Sequence, residues 1–215
     1  DNLMMLRSGL VTIEQYLVLV GEDITRVLRG SGRTRQSVAD SSFDAWIKYY
    51  RQDENAPNAV VSYYVKGALV ALLLDLKLRS ESRASLDDVM RALWERHGKT
   101  GIGVPEDGVL RIATELSGLD LGEFFARYVE GTDELPLAEA FAACGIDLHL
   151  RAAEGNKDAG GKGGKPAKDG ASRQWLGARW TAGGDARITH VFDGGPAQRA
   201  GLSAGDVIFA WNNLK

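Results

Sequence analysis

Pro57-Asn58-Ala59-Val60-Val61-Ser62-Tyr63-Tyr64-Val65-Lys66-Gly67-Ala68-Leu69-Val70-Ala71-Leu72-Leu73-Leu74-Asp75 decides the fold class. It opens on an uncharged turn, carries two adjacent tyrosines and continues as an apolar run with no proline after Pro57. Asn58 is a residue type that caps helices, and the spacing predicts a helix from there to about Arg79. Positions 60, 64, 67, 68 and 71 share one face of that helix. Tyr64 falls near its N-terminal end, where exposed backbone donors make a positive pole. A phenol there stays protonated at neutral pH and can donate a hydrogen bond. A donor aimed at a developing oxyanion is worth roughly 3–4 kcal/mol in rate. The pattern alone also accommodates Tyr63 and Tyr64 as boundary residues of a packed helix.

Working outward, residues 1–150 read as helical throughout. Leu3, Leu6 and Leu10 sit at the spacing of a helix ending. Thr12 and Gln15 form a capping box, opening a helix through Tyr16, Leu17, Val20, Ile24 and Val27 that Gly30-Ser31-Gly32 stops. A less regular stretch from Arg33 to Pro57 carries Phe43, Trp46, Tyr49 and Tyr50. Ser85, with Asp87 and Asp88 in the first turn, caps a helix that ends at Gly98. Pro105 starts another over 106–116. Asp120 caps one from Leu121 to Val129, and Pro136 starts a short last helix that ends near Gly145.

The composition changes over 153–172, a Gly- and Lys-rich stretch with almost nothing apolar, read as a flexible linker. Short strands follow: Trp175 to Trp180, Arg187 to Phe192 and Asp206 to Trp211. Asp193-Gly194-Gly195 is a turn and Pro196 to Ala200 a short helix. The expected organisation is therefore helical over 1–152, linker over 153–172 and a small β segment over 173–215. The fold class is mainly α.

The 215 residues include one cysteine, Cys144, so no internal disulfide can form, and the thiol is expected as a small buried side chain. Twenty-six Lys and Arg scattered among 29 Asp and Glu give a net charge of −3, which points away from nucleic acid as a partner. The strongest apolar run, Ala68 to Leu74, is far shorter than the ~20 residues of a membrane helix, so no membrane partner is expected. The sequence does not identify a compartment. His97, His149 and His190 are the only histidines, no two are four apart, and H-E-x-x-H is absent, so no metal ligand is assigned in this chain. His97 reads as a helix-end cation, and the other two histidines as partly exposed structural residues. Asp53 and Glu54 read as a solvated loop that could also approach a substrate amine.

Two motifs carry a resemblance. Ser62-Tyr63-Tyr64-Val65-Lys66-Gly67-Ala68 resembles the S-Y-x-K-G-[AS] helix of aminopeptidase-N-like zinc enzymes, whose tyrosine two before the lysine stabilises the tetrahedral intermediate. The wider stretch from Ser41-Ser42-Phe43-Asp44-Ala45-Trp46 through Gln52-Asp53-Glu54-Asn55-Ala56-Pro57-Asn58 is similar to the glycyl aminopeptidase family, the PDZ-containing branch of the thermolysin-like zinc peptidases. The resemblance implies that 1–152 is the helical C-terminal part of a peptidase catalytic domain. It implies Tyr64 as the catalytic phenol, with Tyr63 the weaker candidate, and a preference for N-terminal glycine or alanine. It also implies zinc in the parent protein. Asp1-Asn2-Leu3 looks like the end of a Tyr-Tyr-Asp-x-Leu stretch that follows the last zinc ligand in this family. These residues alone are then expected neither to hold zinc nor to hydrolyse peptides.

The second motif is Trp175-Leu176-Gly177-Ala178 with Gly195-Pro196-Ala197-Gln198-Arg199-Ala200-Gly201-Leu202-Ser203-Ala204-Gly205-Asp206-Val207-Ile208. It resembles bacterial PDZ domains of protease families, whose Leu-Gly loop offers backbone N–H groups to a peptide's terminal carboxylate. Trp175, Leu176, Gly177 and Ala178 match that loop, while the sequence stops at Lys215, before the later strands and the groove-wall helix of such a domain. The alternative function is then a peptide-binding PDZ module on a helical scaffold without catalysis. The implied partners are peptide substrates and, at the PDZ-like segment, peptide C-termini.

Overall fold

The computed structural model describes residues 2–153, 158–163, 175–181, 183 and 185–210. The chain is mainly α with one small antiparallel sheet. Its α-helices are α1 (Asn2–Arg7), α2 (Ile13–Arg29), α3 (Val38–Phe43), α4 (Ala56–Ala59), α5 (Tyr63–Glu81), α6 (Leu86–Leu93), α7 (Gly108–Ser117), α8 (Gly122–Phe125), α9 (Leu137–Ala142) and α10 (Pro196–Arg199). Strands β1 (Ala178–Trp180), β2 (Ala186–Val191) and β3 (Val207–Ile208) pair in that order. Two compact units result: Asp1–Gln36 with Ser41–Val61 and Arg151–Lys215, and Ser37–Asp40 with Ser62–Leu150.

In the first unit, α2 begins where its capping box does: the Gln15 N–H donates to Thr12 Oγ1 (3.3 Å) and the Thr12 N–H to Gln15 Oε1 (2.8 Å). Val20, Ile24 and Val27 form its buried stripe, and the helix ends at Gly30 as the glycines predict. The stretch after it holds a 3-10 turn over Ser31–Thr34, then α3, then a π turn over Ala45–Tyr49. Within the sheet, Ala178 pairs with Val191 and Arg187 with Val207, with a bulge between Arg179 and Trp180. Ala178, Ile188 and Ala197 make a small core there, joined by Leu176, Val191, Leu202 and Ile208. β1 and β3 are shorter than the sequence predicts, β2 has the predicted length one residue earlier, and Trp211 lies outside the described residues, as does most of the 153–172 linker.

The second unit is built on α5. Residues 56–81 are long and apolar enough by length and composition to cross a membrane, a property the shorter run Ala68–Leu74 did not suggest. In this fold part of that apolar content goes into a protein core. Val70, Leu73, Leu74 and Leu78 are buried with Val89 of α6, Ile112 and Ala113 of α7, Leu121, and Phe124 and Tyr128. Asp75, 9% exposed, ties α5 to α6: Oδ1 accepts from the Leu86 N–H (2.8 Å) and Oδ2 from Arg79 Nε (2.9 Å). Ser85 caps α6 as the sequence predicts, and it forms a capping box with Asp88.

Several boundaries differ from the sequence reading. Asn58 does not cap the long helix: it lies in one-turn α4, and Ser62 caps α5, accepting from the Val65 N–H (3.3 Å). Both residues are good caps, but Val60, already extended at φ −111°, breaks the run between them. Pro105 precedes a turn, and α7 starts three residues later at Gly108. Cys144 is exposed after α9, not buried.

Candidate functional site

Tyr63 and Tyr64 occupy the first two positions of α5, immediately after the Ser62 cap. This first turn carries N–H groups without partners in the helix, so its end is electropositive. The two phenol rings lie 4.2 Å apart at 30°. Tyr64 is 58% exposed, whereas Tyr63 is half-buried. The Tyr64 side chain is therefore not enclosed by packed hydrocarbon. Lys66, one turn into the helix, is 2% exposed.

The chain leading into this turn is held by buried polar contacts inside the first unit. Val61, 5% exposed, accepts through its carbonyl from Ser41 Oγ (2.5 Å), and its N–H donates to Gln36 Oε1 (3.2 Å). Gly32 passes so close that an added Cβ would stand 2.3 Å from the Val60 oxygen. Asn58, 5% exposed, spans three groups: Nδ2 donates to the Val191 carbonyl (2.8 Å) and to Asn55 Oδ1 (3.0 Å), and Oδ1 accepts from the Asp193 N–H (3.0 Å). Arg35 adds an ion pair to Asp193 at 2.9 Å. Gln36, Ser41 and Asn58 were not singled out as site residues by sequence reasoning. No local sequence signal marked them, because the partners that tie them across the fold lie 20 to 135 residues away.

Trp175, Leu176, Gly177 and Ala178 come together at the entry to β1. Gly177 adopts φ +77°, a left-handed conformation that favours glycine, and a Cβ there would lie 2.9 Å from Gly195 Cα. The Leu176 carbonyl accepts from the Ala197 N–H and the Gly177 carbonyl from the Phe192 N–H, each at 2.8 Å. Ala178 is buried, and Trp175 is 53% exposed with its ring 6.1 Å from Phe192. β1 is an edge strand of the described sheet.

Asp53 and Glu54 are exposed, and Asp53 Oδ1 accepts from the Asn55 N–H (2.9 Å). His149 is exposed and His190 is partly buried, its Nδ1 sharing a hydrogen bond with Thr189 Oγ1 (2.9 Å). His97 sits in the π turn Trp94–Gly98 that ends α6, with Nδ1 buried and without a hydrogen-bond partner among the described residues. Among the described residues no three His, Cys, Asp or Glu side chains gather as a metal site.

A mainly α chain with an exposed phenol at the mouth of a core helix, followed by a small glycine-turned sheet, is the class of structure defined so far. Residues 1–70 match the family model of the M61 glycyl aminopeptidases. The chain also resembles a crystal structure described as an aminopeptidase N family protein from Idiomarina loihiensis, with a TM-score of 0.86 and 38% identity. That match covers 100% of this chain and 36% of the other, so the chain spans about a third of that protein's length. No curated protein matches the sequence.

Proposed function

We propose that this chain is part of a metallo-aminopeptidase, a peptide hydrolase in which Tyr64 stabilises the oxyanion formed when the N-terminal peptide bond is attacked. The observation that carries the reading is the exposed phenol in the first turn of α5, directly behind the Ser62 cap. The family match over residues 1–70 and the resemblance to an aminopeptidase N family protein support it. A tetrahedral intermediate places negative charge on the former carbonyl oxygen. A phenol O–H donates to that charge more strongly than to the neutral ground-state carbonyl, so its effect falls on the chemical step. The positive end of α5 adds to the same field. Tyr63, half-buried against Tyr64, is the weaker donor and braces the ring.

The described residues do not fit a zinc site, having no cluster of three ligands. We assign the zinc implied by the resemblance to polypeptide of the parent outside these residues. The preference for N-terminal glycine or alanine is likewise a proposal. The test is Tyr64→Phe in a complete parent enzyme. It is expected to lower kcat by about 10²–10³ with little change in KM, the pattern of an interaction made only in the transition state. Unchanged turnover would remove Tyr64 from the mechanism.

A second reading is favoured by the loop at Leu176 and Gly177, whose conformation and edge strand suit capture of a peptide C-terminus by β-augmentation. Calorimetry with a C-terminal peptide tests it. Binding lost on amidating the terminal carboxylate is the expected result, and equal binding of both forms would refute it.

A further inference from the structure

The second unit contains a cleft of about 440 Å³ between the C-terminal half of α5, the segment from α8 into the following π turn Ala126–Glu130, and α9. It is remote from the candidate catalytic phenol along the helix: nine residues separate Tyr64 from Leu73, the first cleft residue, a rise of roughly 13 Å. The floor is apolar, with Leu73, Phe124, Tyr128 and Ala140 among the residues that form it. The rim carries four carboxylates, Glu81, Asp120, Glu123 and Glu139, against two cations, Lys77 and Arg127.

Both cations are already engaged. Lys77 Nζ donates to Glu81 at 2.8 and 2.7 Å. Arg127 Nε donates to Asp133 (2.7 Å), and its Nη1 lies 3.5 Å from Glu123. Asp120 accepts only from the Gly122 N–H (3.0 Å), and neither Asp120 nor Glu139 has a basic partner among the described residues. Two exposed carboxylates are thus left without a cationic side-chain partner beside an apolar floor.

We infer that this cleft binds a small organic ammonium ion with an apolar body, of the size and chemistry of an aralkylamine. The volume lies in the range of small-molecule sites, which are mostly apolar with a few polar groups that set orientation. Burying the hydrocarbon body removes apolar surface from water, and the ammonium meets the unpaired carboxylates. The same charge excess disfavours a carboxylate or phosphate ligand.

Cys144 lines the cleft, is exposed and is the single cysteine of the chain, so its alkylation reports on occupancy without any peptidase assay. The rate of Cys144 labelling by iodoacetamide is measured with 2-phenylethylamine, neutral 2-phenylethanol or anionic 3-phenylpropionate present. The amine is expected to slow labelling saturably and to bind about tenfold more tightly than the alcohol, a difference of about 1.4 kcal/mol. The carboxylate is expected to protect least. Asp120→Asn with Glu139→Gln should reduce the amine to the alcohol's affinity. Equal protection by all three probes, protection by none, or amine preference surviving both substitutions overturns the inference. If the double variant fails to fold, the three probes on the unaltered chain decide the matter alone. Because no turnover is read, failure here and failure of the Tyr64 assignment are separate outcomes.

Discussion

Replacing Asn58 by alanine tests whether one carboxamide joins the approach to α5 with the end of β2. Asn58 is 5% exposed and makes three hydrogen bonds, two of them to backbone groups more than 130 residues away in sequence, the Val191 carbonyl and the Asp193 N–H. Each hydrogen bond contributes about 1 kcal/mol net, and each partly buried partner left without one costs about 1–3 kcal/mol. Allowing for water reaching part of the vacated space, the loss of stability should be about 2–4 kcal/mol. A urea titration measures the loss, and amide hydrogen exchange at Asp193 localises it, since that N–H donates to the Asn58 oxygen. Asn58→Asp gives a sharper contrast. It keeps an acceptor for the Asp193 N–H but turns a carboxylate oxygen toward the Val191 carbonyl. The Asp variant should therefore be at least as unstable as the Ala variant at neutral pH. It should recover partly below about pH 4, where the side chain is protonated and can donate. If Asn58→Ala leaves both the urea midpoint and Asp193 exchange unchanged, the carboxamide does not join these segments and the reasoning fails.

Leu78→Ala should cost about 2–5 kcal/mol in urea or thermal unfolding, because Leu78 is fully buried in the α5 core and the cavity closes only in part. Gly32→Ala should destabilise by about 1–3 kcal/mol, since the new Cβ meets the Val60 backbone at 2.3 Å and no flexible side chain is there to yield; thermal unfolding measures it. Hydrogen bonds from the Ser85 side chain and backbone hold the Asp88 carboxyl below its ordinary range. Its folded value is depressed, so its contribution is fully present above about pH 4 and is lost as pH falls through that lower value. Unfolding followed from pH 7 to 2 should show that acid loss, and Asp88→Asn should reduce it.

The parts of this fold legible in sequence are those whose determinants are local. Thr12 with Gln15, and Ser85 with Asp88, place two helix starts because donor and acceptor stand three residues apart. Gly194 and Gly201 mark the turns of the small sheet with positive φ, a conformation other residues adopt rarely. Asn58 and Ser62 illustrate the limit. Each is a competent cap by residue type, and the choice fell to Ser62 because Asn58 finds its partners on a distant segment. Cys144 was expected inside because thiols usually are; the helix before it ends at Ala142 and leaves it exposed.

The candidate site divides in the same way. The tyrosine pair and its place at the start of a long helix follow from the order of residues 62–75. What tertiary structure decided is that Tyr64 is exposed while Tyr63 is half-buried, that Gln36, Ser41 and Asn58 hold the entering chain, and that α5, α8 and α9 enclose a cleft. Sequence by itself determined the helix starts at Thr12 and Ser85, the mainly α class and the glycine turns, since these depend on groups within one or two turns of each other. Exposure and buried pairing depend on which remote surfaces meet, and that is settled by packing many segments at once.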